Sequence, residues 1–184
     1  MINVQQTQAM KRLREEFDPL HRSPNSNYGI TIGLPDENDI FHWKATLAGP
    51  KDSSYAGGIF FLNIEFPKDY PKNPPEVCFK TPIYHVNVNP KNSSNGEKLG
   101  HVCISTLNWW KPEYKMKEVL SKIYGLFYMA NPDSPYGLEI GIELRNNKTL
   151  YEEKAQYFTK KYARPNQCNN GNNYTDSWDF TYIK

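Results

Sequence analysis

Apolar and polar side chains alternate along three segments of this chain, and that alternation limits the fold more than any other feature of the sequence. A period of two places successive side chains on opposite faces of a β-strand. Residues 35–39 and 49–58, which separate the three segments, are rich in residues that turns favour. A fourth, shorter apolar segment follows a cluster of prolines. We therefore predict a four-stranded antiparallel meander, with strands at 30–34, 41–47, 60–66 and 77–79.

Helical periodicity flanks the predicted sheet on both sides. The first helix is indicated by four apolar residues at helical spacing: Met10, Leu13, Phe17 and Leu20. Residues 119–130 and 151–162 show the same period, with Thr149 as the candidate N-cap of the last helix. Residues 138–144 alternate like a strand but contain Gly141, so the pattern leaves helix and strand open there. A helix, four strands and then further helices predict an α+β domain.

Length and composition favour one folded domain followed by a tail. A chain of 184 residues with 38% hydrophobic and 14% aromatic residues is large enough to bury a core of its own. Residues 164–184 differ from the rest because they are rich in asparagine and end in alternating aromatic residues. We therefore predict a core domain over 1–163 and a separate tail over 164–184.

Charge and hydropathy argue against two large classes of partner. The formal net charge is only +2, and lysine and arginine are spread along the chain, so a nucleic-acid partner is not expected. No segment approaches the roughly 20 apolar residues of a membrane span, and residues 1–10 do not resemble a secretory signal. We expect a protein of the cytoplasm, the nucleus or both, with no membrane partner.

The cysteines point to a thiol function rather than to a disulfide or a metal site. Cys78, Cys103 and Cys168 are widely spaced and form no CxxC pair, which fits a reducing compartment. Cys78 lies in the predicted fourth strand, where a buried thiol is ordinary. Cys103 lies in the segment 82–112, which has neither helical nor strand periodicity, and such long segments are usually functional. We predict that Cys103 is reactive and that the chain holds no metal.

Two other interpretations of Cys103 have less support in the sequence. His85, His101 and Cys103 supply three candidate zinc ligands, but a fourth ligand at the usual spacing is missing. Cys103, His101 and Asn87 are also the residue types of a cysteine protease, but such proteases normally draw them from distant parts of the chain. Neither pattern predicts its site well.

Short motifs between residues 8 and 163 resemble the ubiquitin-conjugating enzymes and follow the family's order. They comprise Phe41, His42, Trp43, Gly57, Gly58, Phe60, Phe66, Pro67, Asp69, Tyr70, Pro71, Pro74, Pro75, Tyr84, His85, Asn87, Cys103, Trp110, Pro112, Asn131, Pro132, Asp133 and Pro135. The resemblance implies the family's core fold and a transferase without a cofactor of its own. It implies that an activating enzyme, which consumes ATP, passes ubiquitin or a ubiquitin-like modifier to Cys103 as a thioester. Transfer to a substrate lysine then follows, usually with a ubiquitin ligase.

The resemblance also implies roles for residues around the nucleophile. Asn87 matches the motif asparagine that donates to the thioester oxygen during aminolysis or braces the surrounding loop. His85 matches the motif histidine, which together with Trp110 is expected to support the site structurally. Ser105 and Ser134 occupy positions near the incoming lysine, where hydroxyl or acidic groups can orient the amine.

Partner surfaces follow from the same resemblance. Lys11 and Arg12 match basic positions on the first helix that contact the activating enzyme. Two segments match the ligase-binding loops: Lys72, Asn73, Pro74 and Pro75 in the first, and Trp110, Lys111 and Pro112 in the second. The type of ligase does not follow from these residues.

The chain departs from the family pattern in two places. Val86 stands where the motif has proline, so the turn before Asn87 loses a fixed φ angle and gains a β-branched side chain. The segment 88–100 is longer than in most relatives, and insertions of this kind tend to be exposed functional loops. Both departures keep open an alternative function, that of a catalytically silent family member that binds ubiquitin or a partner enzyme without accepting a thioester.

Overall fold

The computed structural model describes residues 4–23, 29–92, 96, 98–102 and 110–165. The helices in these residues are α1 (Val4–Arg22), α2 (Met116–Leu126), α3 (Leu138–Asn146) and α4 (Lys148–Tyr162). The strands are β1 (Ile30–Gly33), β2 (His42–Ala48), β3 (Ile59–Glu65), β4 (Glu76–Phe79) and β5 (His101–Val102). This is the predicted α+β order of a helix, an antiparallel sheet and further helices. No helix in these ranges has both the length and the apolar character needed to cross a membrane.

The sheet is antiparallel throughout, and its strands lie side by side in chain order. The first four strands confirm the predicted meander. The fifth strand corrects the predicted number of four, because Val102 pairs with Val77, and His101 pairs with Cys78, at the edge of β4. A strand of two residues is too short for alternation to reveal it.

The hydrophobic core lies on one face of the sheet. Trp43 on β2 is 1% exposed, and its ring meets that of Phe17 on α1 edge-on, with the centroids 5.1 Å apart. Phe60 on β3 is fully buried and lies 5.1 Å from the ring of Phe127, just after α2. Burying a large apolar side chain stabilises a fold by about 1.5–3 kcal/mol. The alternation in β2 and β3 is therefore that of strands with one face on the core.

The segment 138–144, where helix and strand were both open, belongs to helix α3. Its buried residues are Ile140 and Gly141, whereas Leu138 and Ile142 are 73% and 47% exposed. The apolar alternation in this segment therefore does not mark a buried strand face.

The N-cap of α4 lies two residues before the predicted one. Asn147, not Thr149, precedes the helix, and its Oδ1 accepts a hydrogen bond of 3.1 Å from the backbone N–H of Leu150. Asparagine is among the best N-cap residues because its side-chain oxygen satisfies an otherwise unpaired N–H of the first turn. Thr149 lies inside the first turn instead.

A buried carboxylate joins α1 to the start of α2. Glu16 is 4% exposed, and its Oε2 accepts a hydrogen bond of 2.6 Å from the backbone N–H of Met116, the first residue of α2. Its Oε1 accepts from the Tyr70 hydroxyl at 2.9 Å and from the Arg12 guanidinium. A negative charge at a helix N-terminus interacts favourably with the helix dipole. We call Arg12, Glu16, Tyr70 and the Met116 N–H the Glu16 cluster.

The predicted tail lies almost entirely outside the described residues. Helix α4 ends at Tyr162, and the description ends at Pro165. The boundary between a core over 1–163 and a tail over 164–184 therefore stays a prediction. Cys168 and the aromatic end of the tail lie in the part that is not described.

Candidate active site

The chain reaches its predicted nucleophile from the edge of the sheet. Strand β5 ends at Val102, which is fully buried, and Cys103 is the next residue of the sequence. Cys103 and Ser105 lie outside the described residues, so the roles predicted for them stay predictions. Two segments are hydrogen-bonded to β5 and form the described part of the site, residues 84–89 and 131–137.

Asn87 binds the 131–134 loop through both ends of its side-chain amide. Its Oδ1 accepts from the Asn131 N–H at 2.8 Å, and its Nδ2 donates to the carbonyls of Asn131 at 2.8 Å and of Ser134 at 3.0 Å. These partners fix the orientation of the amide, because a backbone N–H only donates and a carbonyl only accepts. Asn87 is 1% exposed, so each of these bonds is costly to leave unmade. The amide braces this loop.

His85 links the same segment to the end of α2. Its Nε2–H donates to the Leu126 carbonyl at 3.0 Å, and its Nδ1 accepts from the backbone N–H of Asn87 at 3.0 Å. Only a neutral ring with its proton on Nε2 can make both bonds. Burial lowers the pKa of His85 to about 4, against a smaller opposing effect of the bond to Leu126. His85 is therefore a neutral link at neutral pH.

Val86 uses the backbone N–H that a proline would lack. This N–H donates to the Tyr151 hydroxyl at 3.3 Å. The Tyr55 hydroxyl lies 3.4 Å from that of Tyr151 and donates to the Tyr84 carbonyl at 2.9 Å. Burial raises the pKa of both Tyr55 and Tyr151, so both phenols stay protonated. A buried hydrogen bond therefore holds the turn before Asn87, where the family motif has a fixed φ angle.

The described part of the 88–100 insertion returns to the sheet beside β5. The Asn89 N–H donates to the His101 carbonyl at 3.0 Å, and the Phe79 N–H donates to the Gly100 carbonyl at 2.8 Å. Gly100 has a φ angle of +79°, and a Cβ added there would lie 2.0 Å from the Phe79 carbonyl oxygen. Glycine is therefore required at the residue that leads into β5.

A side-chain hydrogen bond joins β5 to the loop that precedes α3. The Nδ1 of His101 lies 2.7 Å from the Tyr136 hydroxyl, and the two rings meet edge-on with centroids 6.0 Å apart. The backbone N–H of Tyr136 donates to the Val86 carbonyl at 2.9 Å. Tyr136 thus contacts both β5 and the segment that carries Asn87. Neither His101 nor Tyr136 has a role implied by the family motifs.

Arg145 on α3 holds the outer side of the 131–134 loop. Its guanidinium donates to the Pro132 carbonyl at 3.0 Å and to the Asp133 carboxylate at 2.6 Å. Ser134 is half-buried, and its carbonyl is the one that Asn87 binds. The sequence analysis did not predict a role for Arg145, because a single arginine that belongs to no motif gives no signal.

The two predicted ligase-binding segments lie against each other. The Trp110 indole N–H donates to the Pro71 carbonyl at 3.1 Å, and its ring lies 5.4 Å from that of Tyr70. The exposed residues of the predicted surface are Lys72, Asn73, Lys111 and Pro112, while Pro74 and Trp110 are half-buried and Pro75 is buried. The structure therefore brings the two segments together, and ligase binding stays a prediction.

The two basic residues predicted to contact the activating enzyme differ in exposure. The Lys11 side chain is 80% exposed and lies 4.0 Å from Glu15. The Arg12 side chain is only 26% exposed, binds Glu16, and donates to the Tyr114 carbonyl at 2.9 Å. Lys11 is the more accessible of the two, because Arg12 is engaged within the molecule.

Cys78 is a structural cysteine. It is 5% exposed on β4, and burial together with the nearby Glu76 raises the pKa of its thiol to about 12. A thiol that stays protonated is a poor nucleophile and a poor metal ligand. In the described ranges, no group of three or more His, Cys, Asp or Glu side chains is placed to hold a metal ion.

Two comparisons with known proteins bear on this architecture. The family profile described as "Ubiquitin-conjugating enzyme" matches residues 12–159, which run from α1 to the last turn of α4. A crystal structure of a Plasmodium yoelii protein assigned to the ubiquitin-conjugating enzymes is similar at a TM-score of 0.71 and 30% sequence identity. That similarity covers 85% of this chain and 96% of the other. The chain therefore belongs to the ubiquitin-conjugating enzyme family.

Proposed function

We propose that this family member is an active ubiquitin-conjugating enzyme with Cys103 as its thioester-forming cysteine. The Cys103 sulfur attacks the thioester that joins the C-terminal glycine of ubiquitin, or of a ubiquitin-like modifier, to an activating enzyme. A C–S bond forms at Cys103, the bond to the activating enzyme's sulfur breaks, and that sulfur takes up the thiol proton. A substrate lysine then attacks, a C–N bond forms, and Cys103 leaves as the thiol.

The place of Cys103 in the sequence, directly after the last residue of β5, carries this proposal. The residue follows Val102 directly, so it is covalently tied to a strand whose His101 is bonded to Asn89 and Tyr136. Those partners lie in the two segments that the Asn87 amide holds together. The strand that leads to the proposed nucleophile is therefore bonded to a loop that the Asn87 amide holds in place.

The chemistry of the first step suits a thiol without a dedicated base. Exchange between a thiol and a thioester converts one thioester into another of similar free energy. At neutral pH a few per cent of an ordinary cysteine is already present as the thiolate. The thioester stays open to amine attack, whereas a serine ester would be more inert. The neutral His85, whose two nitrogens are both engaged, is not needed as a base.

For Asn87 we propose the bracing role rather than direct donation to the thioester oxygen. Its Nδ2 already donates to two carbonyls, so a bond to the oxygen would require the release of one of them. Bracing fixes the loop that carries Ser134, and a lysine that is held in place reacts faster than one that is free. Ser134 and Ser105 are proposed to orient this lysine, which must be neutral to attack.

The partners proposed for this cycle follow the exposure of the predicted surfaces. Lys11 is proposed to contact the activating enzyme, with Arg12 retained mainly to hold Glu16. The exposed side chains beside Trp110, namely those of Lys72, Asn73, Lys111 and Pro112, are proposed to meet ligases. The modifier, the ligase and the substrate are all proteins, and only the activating enzyme consumes ATP.

A loading assay tests the proposal. The chain is incubated with an activating enzyme, ATP and ubiquitin, and separately with other modifiers and their own activating enzymes. We expect a reductant-sensitive adduct in wild type and a reductant-resistant adduct in Cys103→Ser. Modifier binding in solution without any adduct would instead indicate the catalytically silent family member.

A further inference from the structure

We propose that the His101–Tyr136 pair positions the 131–137 loop for lysine transfer from the thioester at Cys103. This inference rests on the proposed function, because it concerns the second step of that reaction. It assigns a positioning role to two residues outside the motifs that carry the family resemblance.

His101 provides a reference point that cannot move far from the thioester. Cys103 follows His101 by two residues in the sequence, and two residues of chain span about 7 Å at most. The backbone of His101 is fixed in turn, because it pairs with Cys78 in the sheet and its carbonyl accepts from the Asn89 N–H at 3.0 Å.

Tyr136 holds the opposite end of the loop from Asn131. The Asn87 amide binds Asn131 and Ser134, whereas the Tyr136 N–H binds the Val86 carbonyl at 2.9 Å. These bonds tie the loop to the segment 84–89. The Tyr136 hydroxyl adds a bond of 2.7 Å to His101, so the loop is also tied directly to the strand that leads to Cys103.

The bond between Tyr136 and His101 restrains the distance between the acyl carbon and the loop along which the lysine approaches. Aminolysis depends on that distance. Reacting atoms must come within about 3–3.5 Å, and small displacements of the positioning groups slow such reactions strongly. Ser134 lies two residues before Tyr136, so a shift of Tyr136 moves the serine as well. The pair therefore acts on transfer and leaves loading unchanged.

The test uses Tyr136→Phe, which keeps the ring and removes only the hydroxyl. The preloaded thioester is discharged in a single turnover either to free lysine, over a range of concentrations, or to hydroxylamine. We expect lysine discharge at saturation to slow about five-fold, the effect of one lost hydrogen bond, with loading unchanged. Hydroxylamine is small and already neutral, so its reaction should hardly change. Equal slowing with both nucleophiles, slower loading, or no slowing at all would overturn the inference.

Variants of His101 complete the test. His101→Ala should slow lysine discharge at least as much as Tyr136→Phe, because it removes the same hydrogen bond and also the ring contact. The double variant should be no slower than His101→Ala alone. His101→Asn places an amide close to the Nδ1 position, so it should restore most of the rate. Additive losses, or His101→Asn as slow as His101→Ala, would overturn the pair. A wild-type chain that forms no thioester overturns the proposed function and this inference together, whereas normal loading with normal discharge by the variants overturns this inference alone.

Discussion

Two of the buried polar clusters in the described residues differ in charge. The Glu16 cluster centres on a carboxylate that is 4% exposed and paired with a guanidinium and a helix N-terminus. The second cluster centres on an amide that is 1% exposed and has only neutral partners. We call it the Asn87 cluster, and its members are His85, Asn87, Asn131 and Ser134.

The difference separates a stabilising role from a positioning role. A buried charge is costly once its partners are removed, so the Glu16 cluster fixes α1 against α2 and tolerates little change. A neutral amide with three hydrogen bonds can lose one at a smaller cost. We therefore assign the positioning of the 131–134 loop to the Asn87 cluster. Three predictions test this contrast, and a fourth tests the bond between Tyr151 and the Val86 N–H beside the Asn87 cluster.

The largest effect is expected for Glu16→Ala, which leaves the Arg12 guanidinium, the Tyr70 hydroxyl and the Met116 N–H without their shared acceptor. We expect the free energy of unfolding to fall by about 4 kcal/mol, measured by urea denaturation. Thioester loading per folded molecule should be unchanged. Glu15→Ala is the matched control, because Glu15 is 61% exposed and should lose less than about 0.5 kcal/mol. Similar losses in the two variants would remove the contrast.

The second prediction concerns stability in acid. The pKa of His85 is about 4 in the folded chain and 6.5 without the fold, so the unfolded state takes up a proton first as the pH falls. Stability should therefore be complete above pH 6.5 and decline towards pH 4, by about 3 kcal/mol in total. His85→Gln should flatten this dependence in urea titrations across the pH range. If the unfolding free energy of His85→Gln depends on pH as steeply as that of wild type, the assignment of a neutral His85 ring is wrong.

The third prediction concerns Asn87→Ala, which removes three hydrogen bonds from the loop. We expect a loss of about 2 kcal/mol in unfolding free energy, near-normal loading, and slower discharge to lysine. Arg145→Ala distinguishes bracing from oxyanion donation, since Arg145 holds the outer side of the same loop. Bracing predicts slower discharge in Arg145→Ala as well, though to a smaller extent. Normal discharge in Arg145→Ala would favour oxyanion donation.

The smallest effect is expected for Tyr151→Phe, which removes the acceptor of the Val86 N–H. The loss should be about 1 kcal/mol in unfolding free energy. Val86→Pro has no N–H to satisfy, so Tyr151→Phe should cost less in that background. Tyr157→Phe serves as the control, because Tyr157 is 41% exposed. A full loss in the proline background would show that the hydroxyl acts elsewhere.

The sequence predicted most of the sheet, whereas the roles of the site residues come from family motifs and stay predictions. Strands β2 and β3 are seven residues long, so their alternation is unambiguous. Asn87 and His85 were found through motifs alone. Strand β5 is too short for any period, and residues 138–144 alternate although Leu138 and Ile142 face outward. Hydrophobic periodicity therefore predicts an element correctly when the element is long and buries one face.

The polar clusters were harder to predict, because their partners are distant in sequence. Glu16 reaches Met116, one hundred residues away, and looks like any other charged residue of an amphipathic helix. Tyr136 and His101 are separated by 35 residues, and a two-residue strand sets their contact. Such contacts depend on the assembled fold rather than on local propensity.

The site of acylation tests the central claim most directly. The chain is loaded with ubiquitin or another modifier, digested without reductant, and the acylated peptide is identified by mass spectrometry. We predict that the acyl group lies on Cys103, while the buried Cys78 stays unmodified because its pKa is raised to about 12. An acyl group on Cys78 or Cys168, or none with any modifier and its activating enzyme, would contradict the account.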